Sequence, residues 1–305
     1  MASGFMWSGR SADARGGART LARLLLTVAL GASIAAQAAP PPVHGLWVWK
    51  SAAVLTAPRA PQALVEFCRT SGINEVYLSV PASRTAADDG HFVETLRLLH
   101  AAAVRVEALL SSIDADEAGH GRETLLRHID SLLDFNRQHP ATRFDGLHLD
   151  IEPQQRPENK GPGNLQFLPG LVEVFRQVRE RTDANGLTLN ADIPMKLLKG
   201  DLGQRRALFG ALPRVTLMLY ELTSPSAATS AADKRSQLQA SADRFFDMAY
   251  QGLSASAAAR MAIALRTPDY GSLLPEMLTA LDAGERHNPH YLGWARHSYN
   301  DTLAP

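Results

Sequence analysis

The chain is poor in cysteine: among 305 residues there is one, Cys68. A single thiol excludes an intramolecular disulfide and any zinc site built from cysteines. It ends the apolar stretch LVEFC, so a buried structural thiol is expected. Charge of one sign is absent too. Lys and Arg number 31, Asp and Glu 31, and no basic block stands out, so nothing points to nucleic acid. No G-x-G-x-x-G follows the first apolar strand, which leaves dinucleotide binding without support, and no cofactor or metal is expected. Long hydrophobic runs are also missing. The one from Leu21 to Ala36 is broken by Arg23, Thr27 and Ser33 and is short for a membrane span of roughly 20 residues. Arg10, Arg15 and Arg19 precede it, and Ala36-Gln37-Ala38 follows it. A basic lead, a short apolar segment and small residues at the cut form a signal-peptide pattern. Residues 1–38 are therefore expected to be removed. A periplasmic or secreted monomer, 39–305, without a stable membrane span would remain, the length of one barrel domain of roughly 250 residues.

What is present is an alternation of short apolar strands and longer helical patterns. Strands are predicted at 45–50, 75–80, 104–110, 146–151, 187–193, 214–220, 261–265 and 291–297. Helices are predicted near 61–71, 91–103, 122–138, 165–181, 202–212, 234–250 and 273–283. Strands alternating with helices indicate a parallel sheet covered by helices. Eight such units in one domain predict an α/β fold of the closed (β/α)8, TIM-type barrel class; a doubly wound open sheet is the alternative. Two polar segments, 153–163 and 223–233, break the rhythm. Both follow strands, so in a barrel both lie at the C-terminal face, where barrel chemistry is sited.

The run Asp145 to Glu152, DGLHLDIE, carries the densest chemistry. Side chains alternate faces along a strand. Leu147, Leu149 and Ile151 form an aliphatic face for the helices. His148, Asp150 and Glu152 then point into the barrel, where dry, unpaired ionisable groups are costly. Glu152 precedes Pro153 and the polar loop, which puts it at the mouth, placed to protonate a leaving group. Like-charge repulsion from Asp150 would favour its protonated form. The same parity turns Asn190 and Asp192 inward in the fifth strand, and Thr216, Met218 and Tyr220 in the sixth. Glu107 is inward but deep in the third strand, with Arg105 as an expected partner. Trp47 and Trp49 share one face of the first strand, and Trp294 lies in the last. Sugars stack on such rings, and core packing is the alternative use. With Tyr220 beside Glu152 and Asp150, the candidate substrate contacts are His148, Asp192, Trp47, Trp49 and Trp294.

DGLHLDIE resembles the D-G-x-D-x-D-x-E signature of glycoside hydrolase family 18, the chitinase-like barrels. MLYE (218–221) resembles that family's M-x-Y-D, and Trp294 stands where the family carries a tryptophan in the eighth strand. The resemblance implies a carbohydrate substrate with Glu152 as general acid, Asp150 orienting a 2-acetamido group and Tyr220 hydrogen-bonding it. The acetamido carbonyl would be the nucleophile, a substrate-assisted route to retention. Trp294 would floor the sugar subsite. The sequence departs from the signature at His148, at Glu221 and in the third strand, where LLSSIDA replaces S-x-G-G. A sugar-binding barrel without catalysis, and a two-carboxylate glycosidase pairing Glu152 with Asp192 or Glu221, are the competing readings. A metal-dependent hydrolase using His148, Asp150 and Glu152 is disfavoured, because same-face neighbours on a strand lie about 7 Å apart.

Overall fold

The computed structural model describes residues 41–161, 163–219, 230–253 and 259–303. The expected signal segment lies outside them, as do Tyr220 and Glu221. Eight parallel strands close a barrel in chain order. They are β1 (Val43–Val48), β2 (Glu75–Ser79), β3 (Arg105–Ser112), β4 (Gly146–Ile151), β5 (Thr188–Pro194), β6 (Arg214–Met218), β7 (Arg260–Arg266) and β8 (Tyr291–His297). β8 pairs back onto β1, so the sheet has no edge. The predicted barrel is the observed one, each strand lying within a few residues of its expected span.

Among the described residues seven longer helices follow β1 to β7 in turn. They are α1 (Ala60–Ser71), α2 (Ala86–Ala101), α3 (His120–Gln138), α4 (Leu168–Ala184), α5 (Leu202–Ala211), α6 (Ala231–Tyr250) and α7 (Leu274–Glu285). Local sequence sets their starts. Thr85 and Asp88 form a reciprocal capping box at α2, and Asp201 and Gln204 another at α5. Among the described residues no helix is long and apolar enough to cross a membrane.

The aliphatic faces of the strands pack under the helices. Leu147, Leu149 and Ile151 of β4 belong to this layer with Val106, Leu110 and Val178. Cys68 of α1 is also there, fully buried, and burial pushes its thiol up to about 12. It is the inert structural thiol its setting predicts.

The barrel interior is polar below and aromatic above. At the bottom Arg214 Nη1 donates to Glu75 Oε2 at 3.1 Å and to Glu107 Oε1 at 3.1 Å. Arg105 pairs with Glu75 at 3.4 Å, so the expected Arg105–Glu107 pair is replaced: Glu107 faces Arg214 from across the barrel. Above this tier Trp47, Tyr77 and Leu109 form a small separate core, with Trp49 partly buried against it.

Candidate active site

β4 supplies the site because its alternation is uninterrupted. Its first motif residue has a structural task. Asp145 accepts from the Val106 N–H at 2.8 Å and from His100 at 3.1 Å, which anchors the strand's lower end. Gly146 allows β5 to approach: a Cβ there would collide with Thr188 Oγ1 and stand 2.7 Å from the Thr188 carbonyl.

His148 is fully buried and lies against Tyr77, ring centroids 3.8 Å apart. Its Nδ1–H donates to Glu107 Oε2 at 3.3 Å and its Nε2–H to Asp192 Oδ1 at 2.9 Å. Burial opposes the charged ring, but Asp192 and Glu107 outweigh it and raise the pKa to about 9, so His148 is an imidazolium at neutral pH. Burial likewise opposes the Glu107 carboxylate, yet Arg214 and His148 hold it down at about 2. The other Asp192 oxygen accepts from Trp47 Nε1 at 3.2 Å. The column Arg214–Glu107–His148–Asp192–Trp47 is thus a continuous buried hydrogen-bonded chain.

Asp150 sits above it. Burial, then the carboxylates of Asp192 and Glu152, push its acid up to about 8 against the opposing charge of His148. Its Oδ1 is buried without a hydrogen-bond partner among the described residues. Asp150 therefore carries a proton at neutral pH. Glu152 accepts from Gln154 Nε2 at 3.0 Å and from Gln155 Nε2. Both carboxyls open on one cleft of about 560 Å³ at the C-terminal mouth. Trp49 stands in its wall, its Nε1 donating to His297 Nε2 at 3.0 Å. Ser111, Asp114 and His128 extend the cleft toward α3.

Of the residues selected from sequence, Glu152, Asp150 and Trp49 meet at this cleft. Four others do not line it. His148 lies a layer too deep, with both ring nitrogens committed to carboxylates, so it supports the floor rather than touching a sugar or an ion. Asp192 is 2% exposed with both oxygens bonded, which removes it as a second carboxylate for the chemistry. Trp47 is 1% exposed beneath the mouth. Trp294 faces outward: it stacks on His44 at 4.1 Å and donates to Asp282 Oδ2 of α7 at 3.0 Å. Gly293, with φ 146°, and a register shift between β7 and β8 set that orientation. The inward residue at the top of β8 is His297, which sequence parity missed. Tyr77 was legible as the middle inward residue of β2; His128 lies on a helix, where strand parity gives no signal.

No family model matches the chain, and no curated protein sequence matches it. Among solved structures, the spore cortex-lytic enzyme SleL of Bacillus megaterium aligns at 11% identity and TM-score 0.50, covering 85% of this chain and 72% of that one. A chitinase from Bacteroides thetaiotaomicron aligns at 12% identity and TM-score 0.49, covering 86% and 90%. An endo-beta-N-acetylglucosaminidase from Cordyceps militaris aligns at 13% identity and TM-score 0.49, covering 85% and 81%. At such identities the likeness is one of fold alone, the closed (β/α)8 barrel.

Proposed function

We propose that this chain is an exported glycoside hydrolase of the chitinase type that cleaves an N-acetylated glycan. The observation that carries the reading is the convergence of Asp150 and Glu152 on one open cleft at the C-terminal mouth, above a buried charge column. Glu152, at the rim, is the general acid and gives its proton to the leaving oxygen as the bond from that oxygen to C1 breaks. The carbonyl oxygen of the sugar's own 2-acetamido group forms the new bond to C1 from the opposite face. Asp150 holds a proton at neutral pH and has a free buried oxygen, which suits it to orient that acetamido group. Trp49 offers an aromatic wall to the ring. Tyr220 joins the acetamido contacts in this reading, on the sequence resemblance alone.

The test is Glu152→Gln. Hydrolysis of N-acetylglucosamine oligomers is expected to fall about 100-fold or more with the melting temperature unchanged. Undiminished turnover in the folded variant would sink the proposal. Export belongs to the same reading: protein recovered from the periplasm is expected to begin at Ala39 by mass spectrometry.

A sugar-binding barrel without catalysis is the second reading. It is favoured by the amides of Gln154 and Gln155, which between them engage both carboxyl oxygens of Glu152, the group that would have to reach the leaving oxygen. Oligosaccharide binding by the wild type with no release of shorter products would select it.

A further inference from the structure

Trp49 stands just past the end of β1, where its backbone has left the sheet, yet backbone and ring are both tied down. Its N–H donates to Asn300 Oδ1 at 2.8 Å, and its carbonyl accepts from Asn300 Nδ2 at 2.8 Å. One side-chain amide thus gives Trp49 the acceptor and the donor that a neighbouring strand would. The indole Nε1–H donates to His297 Nε2 at 3.0 Å. Both partners come from the far end of the chain, the top of β8 and the turn Tyr299–Thr302 behind it.

That turn is itself braced. Ser298 and Asp301 form a reciprocal capping box. Tyr299 is buried against Phe67 of α1, ring centroids 5.2 Å apart. Asn300 is therefore aimed from a fixed base. The arrangement decides what Trp49 can offer a ligand. Its indole N–H is already engaged, while its half-buried ring lines the mouth cleft, so the apolar face is the part presented.

The bond to His297 also fixes a protonation state. An indole nitrogen only donates, so Nε2 carries the lone pair and the imidazole is neutral, with its proton on Nδ1. An imidazolium would turn a second N–H toward the indole and expel it. The charged groups around the ring come from three elements. Asp192 of β5 is held by His148 and Trp47, and Arg266 of β7 pairs with Asp269 at 2.7 Å. Asp301 of the turn accepts from the Ser298 N–H at 2.8 Å. Burial lowers the His297 pKa; Asp301 and Asp192 oppose that, and Arg266 adds to it. The neutral ring that the geometry requires is thus the state at neutral pH.

We infer that His297 is a positioning residue: it latches the Trp49 indole as a preset wall of the cleft, and its protonation releases that wall and weakens ligand binding. The inference rests on the glycosidase reading for its ligand, whereas the latch itself can be read without one. Holding the ring in place before binding spares the cost of ordering it at that moment. Because the indole edge is spoken for, the gain comes through stacking on the ring face.

The latch is tested by heteronuclear NMR of the Trp49 indole N–H, assigned with Trp49→Phe. Its resonance is expected to shift as pH falls from about 7 to about 4.5. In His297→Gln, whose amide oxygen accepts from the indole without titrating, it is expected to stay in place over that range. The use of the latch is tested by calorimetric binding of an N-acetylglucosamine oligomer to Glu152→Gln, where Glu152 neither titrates nor cleaves. Affinity is expected to fall about fivefold over the same pH range, the loss of one hydrogen bond. Adding His297→Gln is expected to hold affinity within about twofold and to remove the pH dependence. A dependence due to Asp114, His120, His128 or Asp150 elsewhere in the lining would survive that change. Adding His297→Leu, which accepts nothing, is expected to give the weaker, low-pH affinity throughout. Melting temperatures check that each variant folds. An indole resonance indifferent to pH, a pH dependence that survives His297→Gln, or full affinity in folded His297→Leu overturns the inference. If no oligomer binds at any pH, the glycosidase reading fails, and the latch stands or falls on the resonance alone.

Discussion

Asp150 and His148 should govern how the protein responds to pH, and they act in the same direction. Asp150 titrates near 3.8 as a free group and near 8 in place, so the folded state holds an extra proton between those values. Stability therefore falls as pH rises from about 4 to about 8. His148 is raised from 6.5 to about 9; its contribution is whole below 6.5 and is lost as pH rises through 9. Asp150→Asn keeps the neutral shape at every pH. It is expected to flatten the first slope and to add more than about 1 kcal/mol at pH 8. Urea midpoints at pH 5 and pH 8 would show this, and an unchanged slope would refute it. His148→Asp places there the carboxylate of the signature that DGLHLDIE resembles. In this barrel it would set a third acid between Glu107 and Asp192, at a cost of about 3–5 kcal/mol. A variant that melts like the wild type would contradict the buried ion chain. The inward direction of His148 could be read from alternation alone. Its depth could not, because parity says which way a side chain points and not how many layers lie above it. The same holds for Trp47 and Asp192, which point inward and lie buried below the mouth.

At the scale of elements, β4 and β8 show when alternation can be trusted. β4 is an unbroken run whose aliphatic face meets the helices, so its pleat carries through to the mouth. β8 contains Gly293 in a backbone state few other residues adopt, and the pairing slips beside it. Trp294 then falls to the helix side and His297 to the interior. Gly293→Ala would drive a Cβ into the Val43 carbonyl, at the seam where the barrel closes. The loss is expected to exceed about 2 kcal/mol by thermal melting. Leu149→Ala, in the core under the helices, is expected to cost about 2–5 kcal/mol through the cavity it leaves. Near-neutral values at either position would mean that these contacts are not as described.

At the scale of the whole molecule, the eightfold rhythm was legible because each parallel strand is buried on both faces and reads as a short apolar run between polar turns. The cleft was less legible, since its far wall comes from a helix and a turn rather than from strand ends. The reserve of charge inside the barrel is nearly balanced. Glu75, Glu107 and Asp192 face Arg214, His148 and the partly exposed Arg105, while Asp150 stays protonated.

The buried Cys68 offers a use that follows from its solitude. Because no second thiol competes, alkylation of the intact protein yields one mass increment and one rate. Cys68 is wholly shielded beneath α1, so modification waits for that helix to part from the sheet. A slow labelling rate that follows the unfolding equilibrium across urea concentrations would make the thiol a timer for global opening. A fast rate in native buffer would show instead that α1 breathes on its own.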